Sequence, residues 1–124
     1  MAKQINTVKD LEGIQPMDIV MINSYTKFNP DVPAQNVGFY GGSFDINNEK
    51  YLVVSETISY KESKDRYFVS SSLYKVKKED GLITDMVHNV AGPCNKNPSD
   101  LETEITKHLN IFKTGKLNEL KTRN

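Results

Sequence analysis

Three side chains in this sequence are of the types that bind soft metal ions or form a Cys–His nucleophile. They are Cys94, His88 and His108. A structural zinc site normally has four ligands, often in closely spaced pairs, whereas these three fall on a loop, a predicted strand and a predicted helix. A cysteine nucleophile needs a base within hydrogen-bond reach, and the sequence before Cys94 does not predict a helix N-terminus. We therefore assign no catalytic residue, metal ligand or cofactor, and predict a loop cysteine and two surface histidines.

Two other motifs have a chemical interpretation that their surroundings disfavour. Glu79-Asp80 could serve acid–base chemistry or hold a divalent cation, but the next residue, Gly81, makes this a predicted turn. The glycine-rich run at residues 38–43 lacks the Gly-Lys-Ser/Thr ending of a phosphate-binding loop. We interpret the first as a solvated turn and the second as a strand bulge or tight corner. A small enzyme built on Cys94 or on a carboxylate pair is kept as a second alternative.

A basic cluster lies in residues 61–78, where six basic side chains stand against two acidic ones and alternate with aromatic residues. Single-stranded nucleic-acid platforms combine base stacking with phosphate neutralisation in this way. The whole chain has a formal net charge of zero, however, and proteins that grip nucleic acid usually carry a basic excess. Nucleic-acid binding is therefore an alternative function, with these candidate residues: Lys61, Lys64, Arg66, Lys75, Lys77 and Lys78.

Aromatic side chains gather around a long, proline-containing loop between the first two predicted strands. Residues 17–90 resemble SH3-like small barrels in outline, with a strand, a long loop, a glycine-rich corner, a hairpin and a short last strand. The resemblance implies architecture only, and no binding residue is transferred from it. Each aromatic residue could instead fill the core. As a surface, they predict contact with another protein through Tyr25, Phe28, Phe39, Tyr40 and Phe44.

Short runs of β-branched and aromatic residues, separated by Gly, Asn, Asp and Pro, predict strands through residues 17–90. The apolar run 17–22 predicts a central strand buried on both faces. Gly41-Gly42 predicts a bulge, Asn47-Asn48 a chain reversal, and Gly92-Pro93 the end of the last strand. The predicted strands cover residues 17–22, 36–40, 51–60, 66–76 and 82–90.

The C-terminal part changes to helical periodicity. Ser99 followed by Glu102 has the spacing of a capping box, and Gly115 is a natural stop. Residues 99–114 are therefore a predicted amphipathic helix whose apolar stripe should pack on the sheet, with residues 115–124 as a tail. The stripe consists of Leu101, Ile105, Leu109 and Phe112.

Together these patterns predict one α+β domain over residues 1–124. A polar N-terminal segment, 1–16, precedes the β unit, 17–90, which forms a small, strongly bent antiparallel sheet or SH3-like barrel of five or six strands. One cysteine, no signal-peptide pattern and no membrane-length apolar run favour a cytoplasmic protein. The first functional interpretation is a small non-enzymatic binding or regulatory protein that contacts another protein, with homo-oligomerisation left open.

Overall fold

The structure is a computed structural model and describes residues 2–24, 31, 34–59, 64–76 and 83–116 of the 124-residue chain. Within these residues a 3₁₀ turn, Val8–Leu11, follows the first strand, and a π-helical turn, Phe112–Lys116, continues the helix. The strands are β1 (Lys3–Ile5), β2 (Ile19–Ser24), β3 (Ala34–Ile46), β4 (Glu49–Ser59), β5 (Arg66–Val76) and β6 (Ile83–Asn95), and the helix is α1 (Pro98–Ile111).

The strands form one six-stranded mixed sheet in chain order, with α1 added at the C-terminal end. The α+β class predicted from the sequence is confirmed. The prediction of a wholly antiparallel sheet is wrong. β1 pairs parallel to β2, because the chain crosses back through the 3₁₀ turn between them. The sheet is not closed into a barrel: in the described residues β2 and β6 meet at one register position, Ser24 beside Ile83.

The N-terminal segment, predicted as polar, contributes to the core. Ile5 on β1 is completely buried, because β1 brings it onto the face of the sheet that carries Val20 and Ile22. Two hydrogen bonds then pin the chain before β2, since the Met17 amide donates to the Tyr40 carbonyl and the Tyr40 amide donates to the Asp18 carbonyl, both at 2.8 Å. The segment therefore covers one face of the sheet.

The sheet has two apolar faces, each covered by a different part of the chain. The N-terminal face, defined by Val20, Ile22, Leu52 and Val54, packs against Ile5 and the residues around the 3₁₀ turn. The helix face packs against α1 and the π-helical turn, and its buried residues are Tyr51, Val53, Val69, Leu73 and Cys94. Because both faces of the sheet are covered, residues 51–55 in the middle of β4 are all buried.

The turns of the first hairpins follow the predicted chemistry. The register of β3 and β4 shifts between Tyr40 and Gly42, and Gly42 has a φ of +137°, so the predicted bulge is present. Asn47 and Asn48 both have positive φ, at 53° and 65°, which is the geometry of a two-residue hairpin turn that matches strand twist.

The burial of β2 and the end of β6 differ from the predictions. β2 is not buried on both faces, since Ile19 is 46% exposed at its start while Val20 and Ile22 are buried. β6 runs through Gly92 and Pro93 to Asn95 instead of ending before them. Proline is tolerated there because β6 pairs with β5 alone along this part, so its other side needs no donor from residue 93.

The N-cap of the helix lies two residues before the predicted one. Asn97, not Ser99, is the N-cap, and its side-chain oxygen accepts a 2.8 Å hydrogen bond from the Asp100 amide with Pro98 in the first turn. The predicted stripe does face the sheet: Leu101, Ile105 and Phe112 are buried and Leu109 packs beside them. In the described residues, no helix combines the length and apolar character needed to cross a bilayer.

Candidate functional site

The predicted aromatic surface is divided among three places. Phe39 is half-buried on the helix face near Leu101, whereas Tyr40 is buried in the cluster on the N-terminal face. Phe44 stacks on Tyr51 with ring centroids 5.9 Å apart, at the far end of the sheet. Tyr25 and Phe28 lie outside the described residues. Of the described three, Phe39 lines both of the open surface depressions that are defined below.

The predicted basic cluster is also distributed along its hairpin. Lys64 and Arg66 are exposed at the start of β5, while Lys75 lies near the other end of this strand. Lys75 is nine residue steps along the strand from Arg66, which corresponds to about 30 Å. Lys75 is also paired with Glu49, with Nζ 3.0 Å from the carboxylate oxygen. Lys61, Lys77 and Lys78 lie outside the described residues, so nucleic-acid binding stays a prediction.

Cys94 and the two histidines do not form a common site. Cys94 lies on β6 opposite Tyr67 and is buried, which corrects its prediction as a loop residue. Burial, with the nearby carboxylates of Glu104 and Asp100, raises the pKa of the Cys94 thiol, so the nucleophilic thiolate is disfavoured. His88 is half-buried with its ring edge-on to Phe112. In the part of the chain that the structure describes, no group of three potential ligands could hold a metal ion.

The unpredicted feature of the helix face is a buried chain of polar side chains. Ser55 Oγ lies 2.7 Å from Ser71 Oγ, which lies 2.6 Å from Nδ1 of His108, and Nε2 of His108 lies 2.9 Å from Glu104 Oε2. Both serines are completely buried and His108 is 1% exposed, so the prediction of a surface histidine was wrong. We call these four hydrogen-bonded side chains, Ser55, Ser71, His108 and Glu104, the relay. It joins β4, β5 and α1.

The protonation of this relay follows from its surroundings. Burial lowers the pKa of His108, and the Glu104 carboxylate opposes that shift without overcoming it. A neutral ring donates from Nε2 to Glu104 and accepts at Nδ1 from the Ser71 hydroxyl, which in turn accepts from Ser55. Every member then has a partner, which is what a buried polar group requires.

The relay has the residue types of a Ser–His–carboxylate triad but not the access. A serine nucleophile must reach a substrate carbonyl, whereas Ser71 is completely buried beneath α1. Glu104 is accommodated because Gly92 faces it: a Cβ on Gly92 would lie 2.9 Å from the Glu104 carboxylate oxygen. We therefore interpret the relay as a structural connection between helix and sheet.

An open site does occur where β3 and β4 separate. Their register runs from Ile46 with Glu49 to Phe39 with Ser55. Beyond that point the described registers of β3, at residues 34–38, pair it with β2, and those of β4, at residues 56–59, pair it with β5. The two strands thus enclose a cleft of about 310 Å³, and we call it the β3–β4 cleft. Its lining is Ile19, Val37, Gly38, Phe39, Ser55, Glu56 and Thr57.

Gly38 sits where β3 lies close against β4. A Cβ at this position would collide with the Ser55 carbonyl oxygen and approach the Val54 side chain to 2.8 Å. The Ser55 carbonyl therefore points from β4 toward β3. Because backbone groups of alternate residues in a strand point to the same side, Thr57 directs its N–H and C=O groups into the cleft, and those of Ser59 point to the same side of β4.

Apolar and polar groups are arranged differently on the two faces of the cleft. Ile19 and Val37 are 46% and 47% exposed on the helix face, and Phe39 separates the cleft from a second depression of about 350 Å³ beside the helix N-terminus. The strand β4 is exposed on both faces from residue 56 to residue 59, with Ile58 at 52%. A strand edge with exposed apolar side chains is the usual requirement for pairing with another chain.

Phe39, a predicted contact residue, lines the cleft, whereas the sequence patterns predicted neither the cleft nor the relay. Glu104 and His108 are four residues apart on the predicted helix, and His108 follows Ile105 by three, so their proximity and the burial of the ring had a readable signal. The divergence of β3 from β4 has no comparable sequence signal.

Comparison of the whole chain with protein-family models, with curated proteins and with solved structures finds no match. The geometry of the β3–β4 cleft is therefore the basis of the function proposed below.

Proposed function

We propose that this protein is a small non-enzymatic binding protein that takes up an extended segment of another protein in the β3–β4 cleft. The observation that carries the proposal is the exposed edge of β4 at residues 56–59, which in the described part of the chain pairs on one side, with β5. An added strand would supply hydrogen bonds to Thr57 and Ser59 and apolar contacts to Val37. This is recognition by strand addition, in which backbone pairing supports affinity and side-chain contacts add specificity.

The SH3-like bend expected from the sequence forms part of this proposal. Its support is the division of β3, which pairs with β2 before the bulge at Tyr40 and with β4 from Phe39 onward. In the described residues, the register pairing of Ser24 with Ile83 brings β2 and β6 together on the opposite side. A sheet bent in this way presents the β3–β4 cleft at its open side. We place the protein in the cytoplasm, with its single, buried free thiol in support.

The test is a selection of random twelve-residue peptides displayed on phage against the immobilised protein. Selected peptides are then measured by fluorescence anisotropy against wild type and Thr57→Pro. Proline removes the amide N–H that Thr57 directs into the cleft. The neighbouring residues Glu56 and Ile58, which pair with β5, are unchanged. We expect binding to fall at least about tenfold, because two or more backbone hydrogen bonds depend on this register.

A second variant and a matched control separate binding from folding. Val37→Glu places a charge on the apolar lining without touching β4, whereas Met86→Glu changes a residue of comparable exposure on β6. Binding should be lost in the first and kept in the second, with thermal unfolding of both near wild type. Methylation of alternate peptide amides should also abolish binding. Peptides that bind Thr57→Pro and Val37→Glu as well as wild type would refute strand addition.

A further inference from the structure

We infer that the segment bound in the β3–β4 cleft carries a basic side chain opposite Glu56, with apolar side chains on both sides of it in sequence. The inference rests on the proposed strand addition and names the chemistry of the ligand. It follows from the placement of the Glu56 carboxylate on one face of the cleft and of the apolar residues of β2 and β3 on the other.

Glu56 presents an exposed carboxylate at the cleft. Its cross-strand neighbour on β5 is Ser70, a neutral residue. In the described residues the ion pairs of carboxylates are those of Asp18, Asp45, Glu49 and Glu104, and Glu56 takes part in none. Directly opposed residues of paired strands bring their Cβ atoms within about 5 Å, and opposite charges there are stabilising. A lysine or arginine of the added strand therefore fits this position.

The neighbouring positions of an added strand point to the other face, because side chains alternate along a strand. On that face the cleft offers Val37 and Ile19, both about half exposed, and the ring of Phe39. Apolar side chains bury these surfaces and are favoured there. The expected ligand thus has an apolar–basic–apolar sequence in extended conformation.

A second copy of this chain fits the cleft less well. Two β4 edges paired antiparallel about Thr57 would place Glu56 opposite Ile58 of the other copy, and residues 56–59 contain no basic side chain to pair with the carboxylate. The charge at this edge therefore favours a different protein as the source of the strand.

The experiment repeats the peptide selection on wild type, Glu56→Lys and Glu102→Lys. Glu102 is an exposed carboxylate on α1, so its variant matches the change of net charge without altering the cleft. Wild type and Glu102→Lys should both enrich peptides with Lys or Arg between two apolar residues, and Glu56→Lys should enrich Asp or Glu at that position.

Anisotropy then measures one selected peptide and its Lys→Glu counterpart. The substitution should weaken binding to wild type by about tenfold, since an attraction is replaced by a repulsion, and Glu56→Lys should reverse the preference. Equal binding of both peptides by wild type would overturn the charge inference and leave strand addition standing. If selection yields no peptide sensitive to Thr57→Pro, the proposed function itself fails. A wild-type dimer in light scattering that Thr57→Pro abolishes would overturn the assignment to a different protein.

Discussion

At the scale of single residues, His108 lies where β4, β5 and α1 meet, and its ring is held between Ser71 and Glu104. The titratable or charged groups around it are Glu104 and Lys107 on its own helix, while the facing strands contribute the neutral hydroxyls of Ser55 and Ser71. Burial is the largest influence, so the folded protein holds the pKa of His108 below its ordinary value of 6.5. The folded state therefore favours the neutral ring.

This environment predicts that acid destabilises the protein through His108. Since the folded-state pKa is lowered, the unfolded chain binds the proton first, and stability present above about pH 6.5 is lost as the pH falls through the folded value. Urea unfolding between pH 5 and pH 8 should show this loss, and His108→Gln should reduce it. Ring proton NMR should show His108 titrating below pH 6.5. A His108 resonance that titrates above that value would contradict the prediction.

At the scale of elements, the N-cap of α1 is not the residue that the sequence spacing predicts. Ser99 and Glu102 have the spacing of a capping box, but Pro98 already occupies the first turn and Asn97 makes the cap. Asn97 combines a bond from the Asp100 amide with a 2.6 Å bond from its own amide group to the Asp100 carboxylate. Proline at the first helical position moves the cap to the residue before it.

We predict that Asn97→Ala lowers the free energy of unfolding by about 1 kcal/mol, the usual contribution of a helix N-cap. Ser99→Ala is the matched control and should change it by less than about 0.5 kcal/mol, because Ser99 is an exposed residue inside the first turn. Urea titration of both variants measures the difference. A larger loss for Ser99→Ala than for Asn97→Ala would show that the helix begins at the later position.

In the strands, too, features set by neighbouring residues were predicted and features set by distant residues were not. Arg66–Val76 was predicted to its exact bounds, and Gly42 forms the expected bulge, because these signals are local. The point where β3 leaves β4 depends on which strand each half of β3 pairs with, and that is decided by contacts between distant residues. The β3–β4 cleft could not be predicted for this reason.

At the scale of the whole molecule, the two faces of the sheet need two covers. The helix covers one face, as its apolar stripe predicted. The other is covered by the N-terminal segment, where Ile5 is completely buried against Val20 and Tyr40. The apolar residues near the start of the chain are isolated among polar ones, so composition predicted a polar segment and not the burial of Ile5.

We predict that Ile5→Ala lowers the free energy of unfolding by about 2–5 kcal/mol, as expected for a large side chain truncated in a core. Lys3→Ala on the same strand removes an exposed ion pair with Asp18 and should cost less than about 1 kcal/mol. Denaturant unfolding measures both. Equal stability of Ile5→Ala and wild type would mean that the N-terminal segment is not part of the cooperative core.

The sequence by itself determined the α+β class, the central hairpin, the bulge, the turn at Asn47-Asn48 and the helix with its buried stripe. These features depend on periodicity and turn chemistry within a few neighbouring residues. Tertiary structure decided the parallel addition of β1, the burial of His108 with its serines, the dispersal of the aromatic and basic candidates, and the opening of β3 from β4. Each of those depends on which distant segments come together, because a side chain's face and partner are defined by the packing of the whole chain.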